Sequence, residues 1–269
     1  MAKMALYLFS AGFVTLLGAT ALYLWYTLSR RVDVGRYASI SAWGGTTFLG
    51  ASLLARMVAS GHGPFSNMYE FSTAFAFGVT ASYAGAERRF QTRSLGMLVI
   101  PVAVALLAYA STLPSTIEPL VPALQNNALL TTHVTLAIVA YGILSVSFAA
   151  SLLYLVQRRF ALGWLPTAPV LDDIGHRSVM VGFPAMAMVI IVGALWANIA
   201  WGRYWGWDPK ETASLITWLV YGGYLHARAL HGWKGTRSAL LLVLGFIAVL
   251  FTYFGNLYFG GLHSYGGLS

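Results

Sequence analysis

Ala239-Leu-Leu-Leu-Val-Leu-Gly-Phe-Ile-Ala-Val-Leu-Phe-Thr-Tyr-Phe-Gly-Asn-Leu-Tyr-Phe259 runs for 21 residues without a charged side chain. A helix needs about 20 predominantly apolar residues to cross a hydrocarbon core roughly 30 Å thick, and this run has that length and that character. Seven further runs resemble it, at 4–28, 37–58, 67–86, 94–113, 128–156, 179–200 and 212–230. They predict an all-α, polytopic integral membrane protein with about eight transmembrane helices, the structure that satisfies every backbone polar group within lipid. Composition agrees. Of 269 residues 58% are hydrophobic and 9% charged, with mean hydropathy +0.69. Soluble domains carry roughly 25% charged residues, so an ordinary soluble enzyme is excluded, as are disorder and a collagenous chain. The first run is too long for a signal peptide, has Lys3 as its only charge and lacks a cleavage site. No cysteine occurs, so the chain offers no disulfide, thiolate ligand, thiol nucleophile or covalent haem anchor.

Lys and Arg set the orientation. The connections after runs one, three, five and seven hold Arg30, Arg31 and Arg36; Arg88, Arg89 and Arg93; Arg158, Arg159 and Arg177; Arg228, Lys234 and Arg237. These are twelve of the sixteen basic residues; the opposite side has Lys3, Arg56, Arg203 and Lys210. The split predicts both termini outside the cytoplasm. It also gives the net charge of +8 a topological meaning, so the expected environment is a lipid bilayer, with no nucleic acid as partner. Without low-complexity tracts, internal repeats or a soluble segment, residues 1–269 read as a single transmembrane domain. Its longest connections, 114–127 and 157–178, carry Pro114, Pro119 and Pro122, and Pro166 and Pro169.

Between runs six and seven stands Trp196-Ala-Asn-Ile-Ala-Trp201-Gly-Arg203-Tyr204-Trp205-Gly-Trp207-Asp208-Pro209-Lys210-Glu211-Thr212. Four of the nine tryptophans fall within twelve residues. Asp208-Pro209-Lys210-Glu211 has the form of a helix start, with Asp as N-cap, Pro at the first helical position and Glu three residues after the cap. The residues from 196 to 212 are thus an ordered ledge above the seventh span. They read either as an interfacial aromatic belt or as a platform for a large planar anion, its face on indole rings and its carboxylates near Arg203 and Lys210. Asp208 is open between a helix cap alone and a part of that site.

His133, at the start of run five, and His263, after run eight, fall on the same outer side as the ledge, as does His62. His226 is 14 residues beyond Thr212, about 21 Å down a helix rising 1.5 Å per residue, past the midplane. Gly222 and Gly223 precede it on the same face and leave a slot beside the imidazole. His176 and His231 fall in inner connections. Two outer histidines flanking an aromatic platform suit the axial ligation of haem iron, with quinone or lipid binding and proton transport as the other readings. A carboxylate proton relay would need acids inside the spans, and of the eight only Glu70 is a candidate.

The stretch from Trp196 to Glu211 resembles the tryptophan-rich WWD motif of haem-handling proteins in cytochrome c maturation. It follows Thr131-Thr-His133-Val-Thr-Leu-Ala-Ile-Val-Ala-Tyr141-Gly and precedes Thr217-Trp-Leu-Val-Tyr-Gly-Gly-Tyr-Leu-His226-Ala-Arg228 and Gly261-Leu-His263-Ser-Tyr265. In this order the parts resemble the CcsA/ResC component of the system II cytochrome c synthase, from His133 onward. The outer segment Gly63-Pro-Phe-Ser-Asn-Met-Tyr-Glu70 is also similar to that family.

The resemblance implies a haem route. Haem b, held non-covalently as ligand and substrate, would pass a membrane histidine matched by His226 and reach the WWD site between external axial ligands matched by His133 and His263. Trp201, Trp205, Trp207 and Asp208 match the motif, and Arg203 stands beside it as a candidate propionate contact, as do Lys210 outside and Arg228 inside. Haem vinyl groups would then be joined to the two thiols of a Cys-x-x-Cys-His site on apocytochrome c. This implies a holocytochrome c synthase (haem lyase) subunit, active only with a CcsB/ResB-type partner, in an inner membrane of bacterial type. A haem exporter or chaperone without synthase activity is the alternative within the motif class; a quinone-binding or proton-coupled transporter is the alternative outside it.

Overall fold

The structure is a computed structural model that describes residues 1–117, 120, 124–125, 127–254 and 259–263. Glu118, Pro119 and Pro122 of the longest outer connection, and Ser264 and Tyr265 of the closing motif, lie outside the described residues. The regular elements among the described residues are eight α-helices: α1 (Ala2–Ser29), α2 (Val32–Ser60), α3 (Met68–Phe90), α4 (Gly96–Ser111), α5 (Asn127–Phe160), α6 (Ala168–Trp201), α7 (Pro209–His231) and α8 (Thr236–Phe254). The fold is all-α, as the apolar runs predict. Helices α1, α5, α6 and α8 are each long and apolar enough to cross a membrane on length and composition alone. Helix α4 is apolar but only 16 residues long. Arg56 of α2, Glu70 of α3 and Thr217 of α7 are polar side chains taken into the interior.

One boundary moves far from its expected place. Helix α6 begins at Ala168, with Pro169 in its first turn and Leu171, Ile174, Gly175 and Ser178 buried at helical spacing. Asp172, Asp173, His176 and Arg177, expected in an inner loop, are therefore helical. The apolar period simply continues through them, and the charges sit between its buried positions.

The helices group into two compact units, Met1–Leu120 and Val121–Ser269. In the first, α1 turns back into α2 through Arg30, which is left-handed at φ 56°. The two helices approach closely enough that a Cβ on Gly45 would meet Leu16 Cδ2 at 2.8 Å. Two carboxylates organise the rest of this unit. Glu87 accepts hydrogen bonds from the hydroxyls of Tyr23 (2.6 Å), Tyr83 (2.5 Å) and Ser39. Glu70 pairs with Arg56 Nε, and its other oxygen accepts from the Ser66 backbone N–H (2.6 Å) and hydroxyl (2.7 Å). Arg56 donates onward to the carbonyls of Ser115 (2.9 Å) and Thr116 (2.8 Å). Glu70, the one candidate for an acid within a span, is thus committed to an ion pair that staples two connections.

The second unit holds α5 to α8. Helix α5 packs on α6 and α8, and α7 on α6 and α8. Ser147 donates to the Gly175 carbonyl at 3.1 Å between α5 and α6. Phe148 stacks on Phe246 with centroids 4.5 Å apart, Phe183 on Trp218 at 5.0 Å, and the Thr217 and Thr252 hydroxyls meet at 3.1 Å. These contacts fix the four helices so that the start of α5, the ends of α6 and α8 and the start of α7 meet at one end of the unit.

Candidate functional site

The expected ledge is partly helix. Helix α6 continues to Trp201 and ends on a left-handed Gly202 (φ 71°), so Trp196 and Trp201 stand on its last turns and the connection proper is 202–208. Asp208 starts α7 with a complete capping box, Glu211 supplying the reciprocal half. The Glu211 carboxylate also accepts the backbone N–H groups of Gly206 (2.8 Å) and Asp208 (3.1 Å), which pins the connection from below. The order expected of this loop comes from two carboxylates bonded to backbone.

Asp208 does more than cap. Its Oδ1 accepts from the Lys210 N–H at 3.0 Å and from His263 Nδ1 at 2.8 Å, and its Oδ2 accepts from the Leu262 N–H at 2.6 Å. A Cβ on Gly261 would collide with Oδ2, so a side chain there would push on the carboxylate. The helix cap and the anchor of His263 are the same carboxylate. Burial works to raise the Asp208 pKa, but the His263 ring and the N–H groups of Lys210 and Leu262 outweigh it and hold the carboxyl at about 2. Burial pushes the His263 pKa below its usual value, against the pull of Asp208. In this pair Nδ1 of His263 is the donor and the Asp208 carboxylate the acceptor.

His133 arrives from α5, and its Nδ1 lies 3.1 Å from the Val189 carbonyl of α6. A carbonyl only accepts, so Nδ1 carries the proton and Nε2 the lone pair in the neutral ring. Trp196 joins the two histidines. Buried at 2% exposure, it stacks on the His133 ring with centroids 5.9 Å apart and meets the His263 ring edge-on at 5.8 Å. Trp201 lies 5.1 Å from Trp196 and 4.9 Å from the His263 ring. Two imidazoles, each with Nδ1 held by an acceptor, are the arrangement in which Nε2 serves as a metal donor of defined tautomer. No group of three or more His, Cys, Asp or Glu suited to a bare metal ion occurs among the described residues.

Other predicted residues fall outside this cluster. Trp205 and Trp207 form an edge-to-face pair of their own at 5.7 Å, and Trp207 is 69% exposed on a left-handed backbone (φ 57°). Arg203 is exposed, with its guanidinium lying over Gly206. Arg228, considered above for a propionate, is held bidentately by Asp172 at 3.1 and 2.7 Å. His62 belongs to the first unit, its Nδ1 2.9 Å from the Gly63 carbonyl. His226 is near the far end of α7, exposed, with its ring 6.0 Å from that of His231. His231 thus closes α7 beside His226, where a connection was expected. Of the expected slot, Gly223 has nothing within 4 Å of a built Cβ, whereas Gly222 faces the Phe183 ring at 3.4 Å. Sequence reading does not single out Trp196, Val189 or Leu262 as site residues. Trp196 alone left a trace, as the first tryptophan of the cluster.

The family model described as Cytochrome C assembly protein matches residues 65–263, a span that includes His133, Asp208, His226 and His263. The cytochrome c biogenesis protein CcsA of Gloeobacter violaceus is 35% identical, over 97% of this chain and 95% of its own length. That of Synechococcus elongatus is 37% identical over 81% and 83%, and that of Chlamydomonas reinhardtii 41% identical over 80% and 64%. Among solved structures, the cytochrome c haem lyase CcmF has a TM-score of 0.73 at 20% identity. The likeness covers 94% of this chain and 46% of the lyase, so the chain spans about half the length of that protein, and it bears on the fold alone.

Proposed function

The chain belongs to the cytochrome c assembly protein family, as an integral membrane protein of cytochrome c biogenesis, and from that membership we propose that it carries haem b as non-covalent cargo and presents it for attachment to apocytochrome c. His133 and His263 are the axial ligands at the presenting site, each through Nε2. Trp196 and Trp201 form its aromatic wall. Asp208 is the carboxylate behind His263 that fixes tautomer and aim. The observation that carries this reading is the convergence of two imidazoles on one buried indole, Trp196, with both Nδ1 atoms already committed.

In this account the WWD connection and both termini face the outer, periplasmic side of an inner membrane of bacterial type. His226, on the exposed face of α7 beside the open space at Gly223, is an earlier ligand on the route, and its trans ligand comes from a CcsB/ResB-type partner. The chain's own work is orientation. It holds the cargo in one pose, excludes water and oxidants, and lets the substrate bring the nucleophiles. Each thiol of the Cys-x-x-Cys-His site adds across a vinyl group, an S–C bond replacing S–H and the hydrogen passing to the neighbouring carbon, with no net transfer of electrons. The absence of cysteine from the chain suits that division of labour.

Co-expression with the partner and an apocytochrome c, in cells lacking any other maturation machinery, tests the proposal. Haem that stays on the cytochrome through denaturing electrophoresis is expected. Haem delivered but never covalently linked would make the chain an exporter instead.

A further inference from the structure

The His133 imidazole lies where a side chain at Gly193 of α6 would be. A Cβ built on Gly193 stands 2.7 Å from His133 Cε1 and 3.0 Å from Nδ1, closer than such atoms can approach. From that space the ring reaches the Val189 carbonyl at 3.1 Å. Val189 is one turn before Gly193, and in an α-helix its carbonyl is the one that the Gly193 N–H serves. The hydrogen bond to His133 is thus made at a main-chain site that only a missing side chain leaves approachable. Trp196, three residues further on the same helix, stacks on the ring so placed.

We propose that Gly193 is a positioning residue for the haem ligand His133: by lacking a side chain it admits the imidazole to the Val189 carbonyl, which keeps the proton on Nδ1 and commits Nε2 to iron. The inference rests on the reading of His133 as a ligand. The clash at Gly193 falls on the His133 ring and not on backbone, so an added methyl group is expected to displace the ring while the backbones of α5 and α6 stay in place. Alanine also favours a helix over glycine, so α6 itself is not weakened. Gly182 provides the matched control. A Cβ there would crowd Leu144 Cδ2 at 2.8 Å, in the same α5–α6 contact but on no imidazole.

Two measurements on the full chain test the proposal. In protein labelled with 15N-histidine and free of haem, the His133 ring is expected in the Nδ1–H tautomer, and Gly193→Ala is expected to convert it to a mixture or to Nε2–H. In the complex loaded with haem, Gly193→Ala is expected to lose the low-spin, six-coordinate absorption and electron-paramagnetic signature to the extent that His133→Ala does, and added imidazole to restore it in both. Gly182→Ala should retain both signatures. The double variant His133→Ala/Gly193→Ala should match His133→Ala alone, because the second change has no ring left to move. An unchanged tautomer and spectrum in Gly193→Ala, beside an altered His133→Ala, overturns the positioning role alone. A spectrum unaltered by His133→Ala overturns the ligand assignment beneath it. Equal losses in Gly182→Ala and Gly193→Ala reduce the glycine to ordinary helix packing and also overturn the proposal.

Discussion

Replacing Asp208 separates the two tasks of its carboxylate. The bond from the Lys210 N–H caps α7; those from the Leu262 N–H at 2.6 Å and His263 Nδ1 at 2.8 Å tie residues 261–263 to that cap. Asparagine is nearly as good an N-cap as aspartate, so Asp208→Asn keeps the first task. Its side chain has one acceptor oxygen where aspartate has two, so an oxygen kept at the Oδ1 position still takes the Lys210 N–H and His263 Nδ1, while the amide –NH2 at the Oδ2 position cannot accept from the Leu262 N–H. Hydrogen bonds to a charged group contribute about 1.5–3 kcal/mol each. The lower figure for the one tether lost gives about 1.5 kcal/mol, or roughly tenfold in the population of the released segment. Hydrogen–deuterium exchange of the detergent-solubilised protein reads this directly. The Leu262 amide is expected to exchange about tenfold faster in Asp208→Asn, with amides in the middle of α7 unchanged. Asp208→Ala should add the loss of the cap, about 1 kcal/mol, visible as a lower Tm. Equal exchange at Leu262 in wild type and Asp208→Asn would refute the reasoning.

Acid should act through the same carboxylate. Its pKa of about 2 lies below the unfolded value near 3.8, so its stabilisation is complete above the unfolded value and is lost as pH falls through the folded one. Protection of the Leu262 amide, corrected for intrinsic exchange, is expected to hold from pH 7 to about 4 and to collapse between about 4 and 2; collapse already at pH 5 would contradict the pairing. In the first unit, Glu70→Ala leaves the buried Arg56 guanidinium without its counter-ion and is expected to cost about 3–5 kcal/mol, read as a large fall in Tm. An unchanged Tm would remove the staple from the account. His226 is exposed, so His226→Ala should alter stability by no more than about 0.5 kcal/mol while lowering the haem that purifies with the complex. Full haem content in that variant would remove His226 from the route.

The eight apolar runs made the helices legible because lipid demands long uncharged stretches, and they are found close to where the runs lie. The start of α6 was hidden by Asp172, Asp173, His176 and Arg177, whose charges look like a loop until the apolar residues between them are counted on a helical period. At the site, tryptophan clustering and the Asp208-Pro209-Lys210-Glu211 start were readable locally. The bond from His263 to Asp208 was not, since 55 residues and the whole of α7 and α8 separate the partners. Gly193 was equally silent: a glycine in an apolar helix carries no mark of the ring that fills its space from 60 residues upstream in the chain. The pairing of Arg228 with Asp172 was likewise not readable, since 56 residues separate the two.

The central claim is that His133 and His263 ligate one haem, and the reduced absorption spectrum of the complex purified in detergent tests it most directly. Sharp low-spin bands in the wild type are expected, lost in His133→Ala and in His263→Ala and restored in each by added imidazole. A complex that purifies without haem after co-expression with its partner, or bands indifferent to both substitutions, would contradict the claim and return Trp196 and its neighbours to an interfacial aromatic belt.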